Sequence, residues 1–194
     1  MEEKTLNRAQ LKMAAKSQIK GKIGILFVIS LIIAALTAVA SMIPFVGTII
    51  VAPAFTLSMI RVYLSLIEGG QPKAGDAFEG FDDFWSAFKV SFLVGLFTFL
   101  WSLLFVIPGI VKSFSYSMST YILAENKGKG ALECISESKQ MTNGYKMDLF
   151  ILSLSFIGWI LLSMITLGIA LIWVIPYMNA TYANAYKLLK GNAK

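Results

Sequence analysis

The sequence predicts an all-α polytopic membrane protein with six transmembrane helices in three tandem αα-hairpins, introduced by amphipathic leaders on the cytoplasmic side. Three observations predict it. Hydrophobic residues make up 57% of the 194-residue chain and charged ones 14%, against about 25% charged in soluble domains. Leu149 to Tyr186 holds 38 residues without a charge, and Lys22 and Arg61 bracket another 38. A crossing needs roughly 20 residues at 1.5 Å each to span a core of about 30 Å, so each run is long enough for two.

Residues 1–21 form a basic leader. Lys4, Arg8, Lys12, Lys16 and Lys20 recur every four positions, a basic stripe on a helix, with Leu11, Ala15 and Ile19 on a neighbouring face. Like charges at that spacing cost an isolated helix about 0.2–0.5 kcal/mol per pair, whereas a lysine beside an anionic leaflet gains about 1 kcal/mol. The balance predicts an interfacial helix that contacts anionic lipid. The bland alternative is a disordered arm that only sets topology.

Hairpin 1 covers 22–68, with "IPFVG" (Ile43 to Gly47) between its helices. "AVA" at Ala38 to Ala40 resembles a signal-peptidase site, but the leader is long and the apolar run continues into a second helix. Arg61 lies within about two turns of the second helix's cytoplasmic end and is expected to snorkel to lipid phosphate. The connection 69–88 is acidic and aromatic. Phe78, Phe81, Trp85 and Phe88 fall at helical spacing opposite Asp76, Glu79, Asp82 and Asp83, as in a helix lying on a membrane. Its four carboxylates could hold calcium or magnesium, but no EF-hand spacing is present and a solvated or capping role is favoured. A contact with the basic leader is a third option.

Hairpin 2 covers 89–124, as Lys89 to Ile107, a break at Pro108 and Gly109, and a shorter return helix, Ile110 to Ala124. The connection 125–146 carries Lys127, Lys129, Lys139 and Lys146. Hairpin 3 covers 147–188 and turns at Thr166-Leu167-Gly168, where glycine supplies the reversal. Lysines and arginines crowd the leader, the two connections and the tail, which places those segments and both termini on the cytoplasmic side.

Asn179, Tyr182 and Tyr186 share a helix face beside the small pair Thr181 and Ala185. A buried amide needs a partner. Asn179 is therefore expected to face the bundle near "SFSYSMSTY", Ser113 to Tyr121, in a packing role or at a polar site.

"LSFIGWILLSMITLGIALIWVIPYMNATYANAY", "IPGIVKSFSYSM" and the leader ending "IKGK" resemble a family of bacterial multipass membrane proteins catalogued as domain of unknown function nine-seven-five. The likeness spans nearly the whole chain. It implies a bacterial cytoplasmic membrane and brings no catalytic residues with it.

Enzymatic chemistry finds few candidates. The chain has no His and one Cys, so neither imidazole acid-base catalysis nor a zinc cluster is expected, and no cofactor or metal is assigned. Ser153, Ser155 and Ser163 lack a base; Cys134 reads as a small packing residue; "NKGKGA" lacks the phosphate-loop spacing. No nucleic-acid module accompanies the basic stripe. The expected function is that of a non-enzymatic accessory or scaffold protein engaging the bilayer, another membrane protein or a second copy of itself. The alternative is a small transporter, and a polar cavity between the hairpins would discriminate the two.

Overall fold

The computed structural model describes residues 6–42 and 46–192. Lys4, the turn at Ile43 to Phe45 and Lys194 lie outside the described residues. The described residues form ten α-helices, in order α1 (Arg8–Ile19), α2 (Ile23–Ala40), α3 (Ala52–Ile67), α4 (Phe84–Leu104), α5 (Val106–Tyr116), α6 (Ser119–Glu125), α7 (Ala131–Met141), α8 (Lys146–Leu154), α9 (Ile157–Ile165) and α10 (Leu171–Asn192). A π-helical turn, Val46–Val51, precedes α3, and a 3-10 helix, Ala74–Asp83, precedes α4. No β-strand occurs among the described residues.

Among the described residues four helical stretches are long and apolar enough to cross a membrane: Ile23–Ala40, Ile49–Ile67, Ala74–Leu104 and Lys146–Ile165. Two of the six expected crossings fall short of that standard. The middle return helix is interrupted at Ser117 and Met118, which divide it into α5 and α6. α10 is long enough at 22 residues, but its second half carries Asn184, Lys187 and Lys190, which dilute its apolar character.

α3 lies inside and α2 outside. In the α3 stretch 61% of the window is buried, in the α2 stretch 11%. α3 packs against α6 and α10, which places three return helices at the centre. Each outer helix tucks in two apolar residues near its start: Leu26 and Ile29, Ala87 and Val90, Leu149 and Leu152. Beyond them Phe27, Leu31 and Val39 on α2, Phe92, Phe99 and Leu103 on α4, and Leu161 and Ile165 on α9 are exposed. The accessible surface of 10826 Å² exceeds the roughly 9,100 Å² of a compact soluble monomer of this mass. Much of what is exposed is aliphatic and aromatic, which needs a non-aqueous neighbour.

A repeat links the first and last thirds. α1 and α7 begin at one constant separation, which recurs between α2 and α8, Pro53 and Pro176, Tyr63 and Tyr186, and Leu66 and Leu189. Burial follows it: Leu11 and Cys134, Ala15 and Ser138, Ser58 and Thr181, and both tyrosines are buried pairs. Cys134 thus occupies the packing position that Leu11 holds in the first leader.

Two boundaries differ from expectation. The chain between α4 and α5 breaks at Phe105, in extended conformation (φ −160°, ψ 146°), rather than at Pro108. Pro108 sits in the first turn of α5, where its missing N–H forfeits no helical bond. Gly109 lets α5 close on α4, since a Cβ there would lie 2.1 Å from Ser102 Oγ. The acidic connection forms a 3-10 rather than an α-helix, and its last residues lead directly into α4. The reversal before α10 falls where expected, with Gly168 at φ +88° and its N–H donating to Ser163 O at 2.8 Å.

Candidate functional site

The basic leader is held against the bundle. Asn7 caps α1 by accepting from the Gln10 N–H at 3.2 Å, and Leu11, Ala15 and Ile19 are buried on the side that meets α10. Gln18 and Asn184 pair reciprocally through their amides, at 3.2 and 2.6 Å. Of the basic stripe, Arg8 is exposed and Lys12 turns inward, donating to Ser155 O at 3.3 Å and sitting 4.4 Å above the Phe156 ring. Lys16 and Lys20 point into a groove shared with α9 and α10. The stripe therefore divides into an anchor and two groove residues.

Arg61 does not reach outward. It is 7% exposed and pairs with Asp83 on the 3-10 segment. It also donates to Glu79 O, and its Nε to Ala124 O at 3.4 Å. This corrects the expected lipid contact: one guanidinium ties α3 to the acidic connection and to the end of α6. Two of the other three carboxylates of that connection are also engaged, Asp82 near Lys127 at 3.6 Å and Asp76 accepting the Lys73 N–H at 2.8 Å. The basic leader supplies neither partner; its backbone reaches Asp148 instead, through the Leu6 N–H at 3.1 Å.

A charged cluster closes the ends of α3, α6 and α10. Lys187 pairs with Glu68 and Glu125, Lys190 with Glu125, and Tyr186 donates to Glu125 at 2.7 Å. Beside it lies a cavity of about 620 Å³ bordered by Arg61, Ser65, Glu68 and Asn126. Burial alone would raise the Glu125 carboxyl, but hydrogen bonds from Lys187, Lys190 and Tyr186 outweigh it and hold the pKa down to about 2. A carboxyl whose pKa is lower folded than unfolded contributes stability that is complete above its unfolded value of about 4.3 and is lost as pH falls toward the folded value. Between pH 5 and 2 the wild type is therefore expected to lose about 1–2 kcal/mol through this group, after allowance for solvent screening. Thermal unfolding in detergent across that range checks it: Glu125→Gln should be less stable at neutral pH, and its deficit should shrink on acidification.

An uncharged polar cavity of about 250 Å³ lies between the same three return helices. α3 contributes Thr56 and Tyr63, the interrupted helix contributes Ser117, Thr120 and Tyr121, and α10 contributes Asn179. The interruption is stitched from outside: Ser138 Oγ accepts the Met118 N–H at 3.1 Å and donates to Ser115 O at 2.8 Å, with Thr142 also donating to Ser115 O at 3.3 Å. Tyr63 is 1% exposed, and the neighbour of its hydroxyl is the Asn179 side chain, which lines the same cavity. Thr56 and Ser117 are the exposed members of the lining.

The face predicted from Asn179, Tyr182 and Tyr186 serves three places. Asn179 lines the cavity, Tyr182 packs toward Phe156 at 6.3 Å between centroids, and Tyr186 is fully buried at the charged cluster. Tyr121 stacks on Tyr186 at 5.5 Å and so joins cavity and cluster. Sequence reasoning missed Tyr63, Tyr121 and Glu125; the constant separation of Tyr63 and Tyr186 was the one available signal.

The model of a family described as "Protein of unknown function (DUF975)" matches residues 1–112 and 103–193. No curated protein and no solved structure matches the chain.

Proposed function

The chain belongs to the DUF975 family, and we propose that it is a non-enzymatic multipass protein of the bacterial cytoplasmic membrane that admits a small uncharged solute between its return helices. The proposal includes three helical hairpins, both termini cytoplasmic, with α10 and the interrupted α5–α6 as the return legs that complete six crossings. The observation that carries it is the uncharged cavity that brings Tyr63, Tyr121 and Asn179 together from three helices. The lining holds no charge, and a bare ion in low dielectric costs several kcal/mol, so neutral ligands are selected. At roughly 30 Å³ per water the volume suits about eight waters or one solute of a few heavy atoms. A helix interrupted beside a polar cavity is a recurrent element of transporter sites.

The test is stopped-flow light scattering of proteoliposomes given glycerol, urea or lactate anion. Protein should raise glycerol or urea permeability above that of empty vesicles and leave lactate unchanged. Asn179→Leu should abolish the gain while lowering stability by only about 0.6–2 kcal/mol, the range of an interhelical bond in membranes. Permeabilities equal to those of empty vesicles for both neutral solutes reject the reading. The accessory or scaffold reading then takes precedence, supported by the apolar surface exposed on α2, α4 and α9.

A further inference from the structure

We propose that the groove between α1, α9 and α10 is a slot for one anionic phospholipid of the surrounding leaflet, with its headgroup at Lys16 and Lys20 and an acyl chain along the seam of α2 and α10. The inference rests on the membrane reading and is independent of the solute cavity. The groove encloses about 430 Å³. Lys16 on α1 and Lys20 just past its end border it; the walls include Trp159, Trp173, Val174 and Tyr177.

The two lysines differ from their neighbours. Lys12 is tied to Ser155 O and Lys22 to Gly70 O, whereas Lys16 and Lys20 make no ion pair or side-chain hydrogen bond among the described residues and remain exposed. α1 is fixed against α10 by its buried face and the Gln18–Asn184 pair, so both lysines border an apolar slot whose position is set by that docking. Trp159 and Trp173 remain about half exposed, and indoles beside lysines match the region between headgroups and acyl chains.

Ile23 of α2 lines the groove, and one turn further along that helix a separate, apolar crease of about 200 Å³ begins, bordered by Phe27, Leu31 and Ala34 and by Leu171 and Ile175 of α10. From Ile23 to Ala34 the helix rises about 16 Å, the length of a substantial part of an acyl chain. Two lysines beside a groove walled by indoles and aliphatic side chains, with an apolar crease further along α2, fit an amphiphile; an acidic peptide would leave the apolar walls unmatched, and a nucleic acid finds too few polar groups there.

The experiment uses the full chain, delipidated in detergent and titrated with phosphatidylglycerol or phosphatidylcholine, with bound lipid read by native mass spectrometry. Wild type should retain one phosphatidylglycerol in preference to phosphatidylcholine. Lys16→Gln with Lys20→Gln should weaken that binding about 30-fold, the equivalent of two lysines at about 1 kcal/mol each. Ala34→Phe, which fills the crease and keeps both charges, should weaken both lipids several-fold. In vesicles, phosphatidylglycerol brominated on its chains should quench tryptophan more than brominated phosphatidylcholine, and the double lysine variant should lose the difference. Equal retention of both lipids, or unchanged phosphatidylglycerol binding in the double variant, overturns the proposal. So does a stable dimer that forms on delipidation and excludes the lipid, since the groove then receives a second copy. Solute flux in the same vesicles reports on the cavity separately.

Discussion

Arg61→Leu is expected to destabilise the protein by about 3–5 kcal/mol, because it removes one partner of a buried ion pair and leaves the other. The side chains of Arg61 and Asp83 are 6% and 13% exposed, so water cannot replace the lost partner, and the carbonyls of Glu79 and Ala124 lose their donor as well. Asp83→Asn should cost less, since Asn can still accept from the guanidinium. The test is a double-mutant cycle by thermal unfolding in detergent. Arg61→Leu with Asp83→Leu should be more stable than Arg61→Leu alone, because no unpaired charge remains. Strict additivity of the two changes would show that the pair does not act as a unit. A variant as stable as wild type would show that Arg61 is not committed to Asp83 and reaches lipid phosphate, as the sequence suggested.

That residue also shows where sequence reasoning ends. From the chain alone, an arginine two turns from a helix end has lipid phosphate as its nearest counterion. Its actual partner lies 22 residues further on, across a turn whose path depends on how tightly the 3-10 segment can lie on α3. The cavity was hidden for the same reason. Tyr63, Tyr121 and Asn179 come from three helices, and only the packing of the return helices brings them together. What depends on local spacing was legible: the buried face of α1 through Leu11, Ala15 and Ile19, the all-α class, and the reversal at Gly168. The stripe of basic residues was legible as a stripe but not in its division, because Lys12 finds Ser155 and Phe156 only after α1 has docked.

Gly80→Ala is expected to be nearly as damaging, although it adds a single methyl group. At this point the 3-10 segment lies directly on the backbone of α3: a Cβ on Gly80 would stand 2.0 Å from Ala54 O and 2.7 Å from Ser58 N. Those atoms are helix backbone and cannot rotate away. The Gly80 N–H donates to Ser58 Oγ at 2.8 Å, and that hydroxyl donates onward to Ala54 O at 3.1 Å, so separating the two segments also breaks the relay. Overpacking costs about 1–3 kcal/mol and a buried hydrogen bond about 1 kcal/mol, which gives an expected loss of about 3 kcal/mol. Ser58→Ala removes the relay without the clash and should cost about 1 kcal/mol. Displacing Gly80 also shifts Asp83, three residues away, from Arg61. Gly80→Ala and Arg61→Leu should therefore be strongly non-additive, the double variant being little worse than the poorer single one, because either change releases the same segment. Amide exchange over residues 74–83 should rise in both single variants. Wild-type stability for Gly80→Ala, or full additivity with Arg61→Leu, would mean that the acidic connection is not clamped to α3, and the ion pair would have to be held in place by α6 alone.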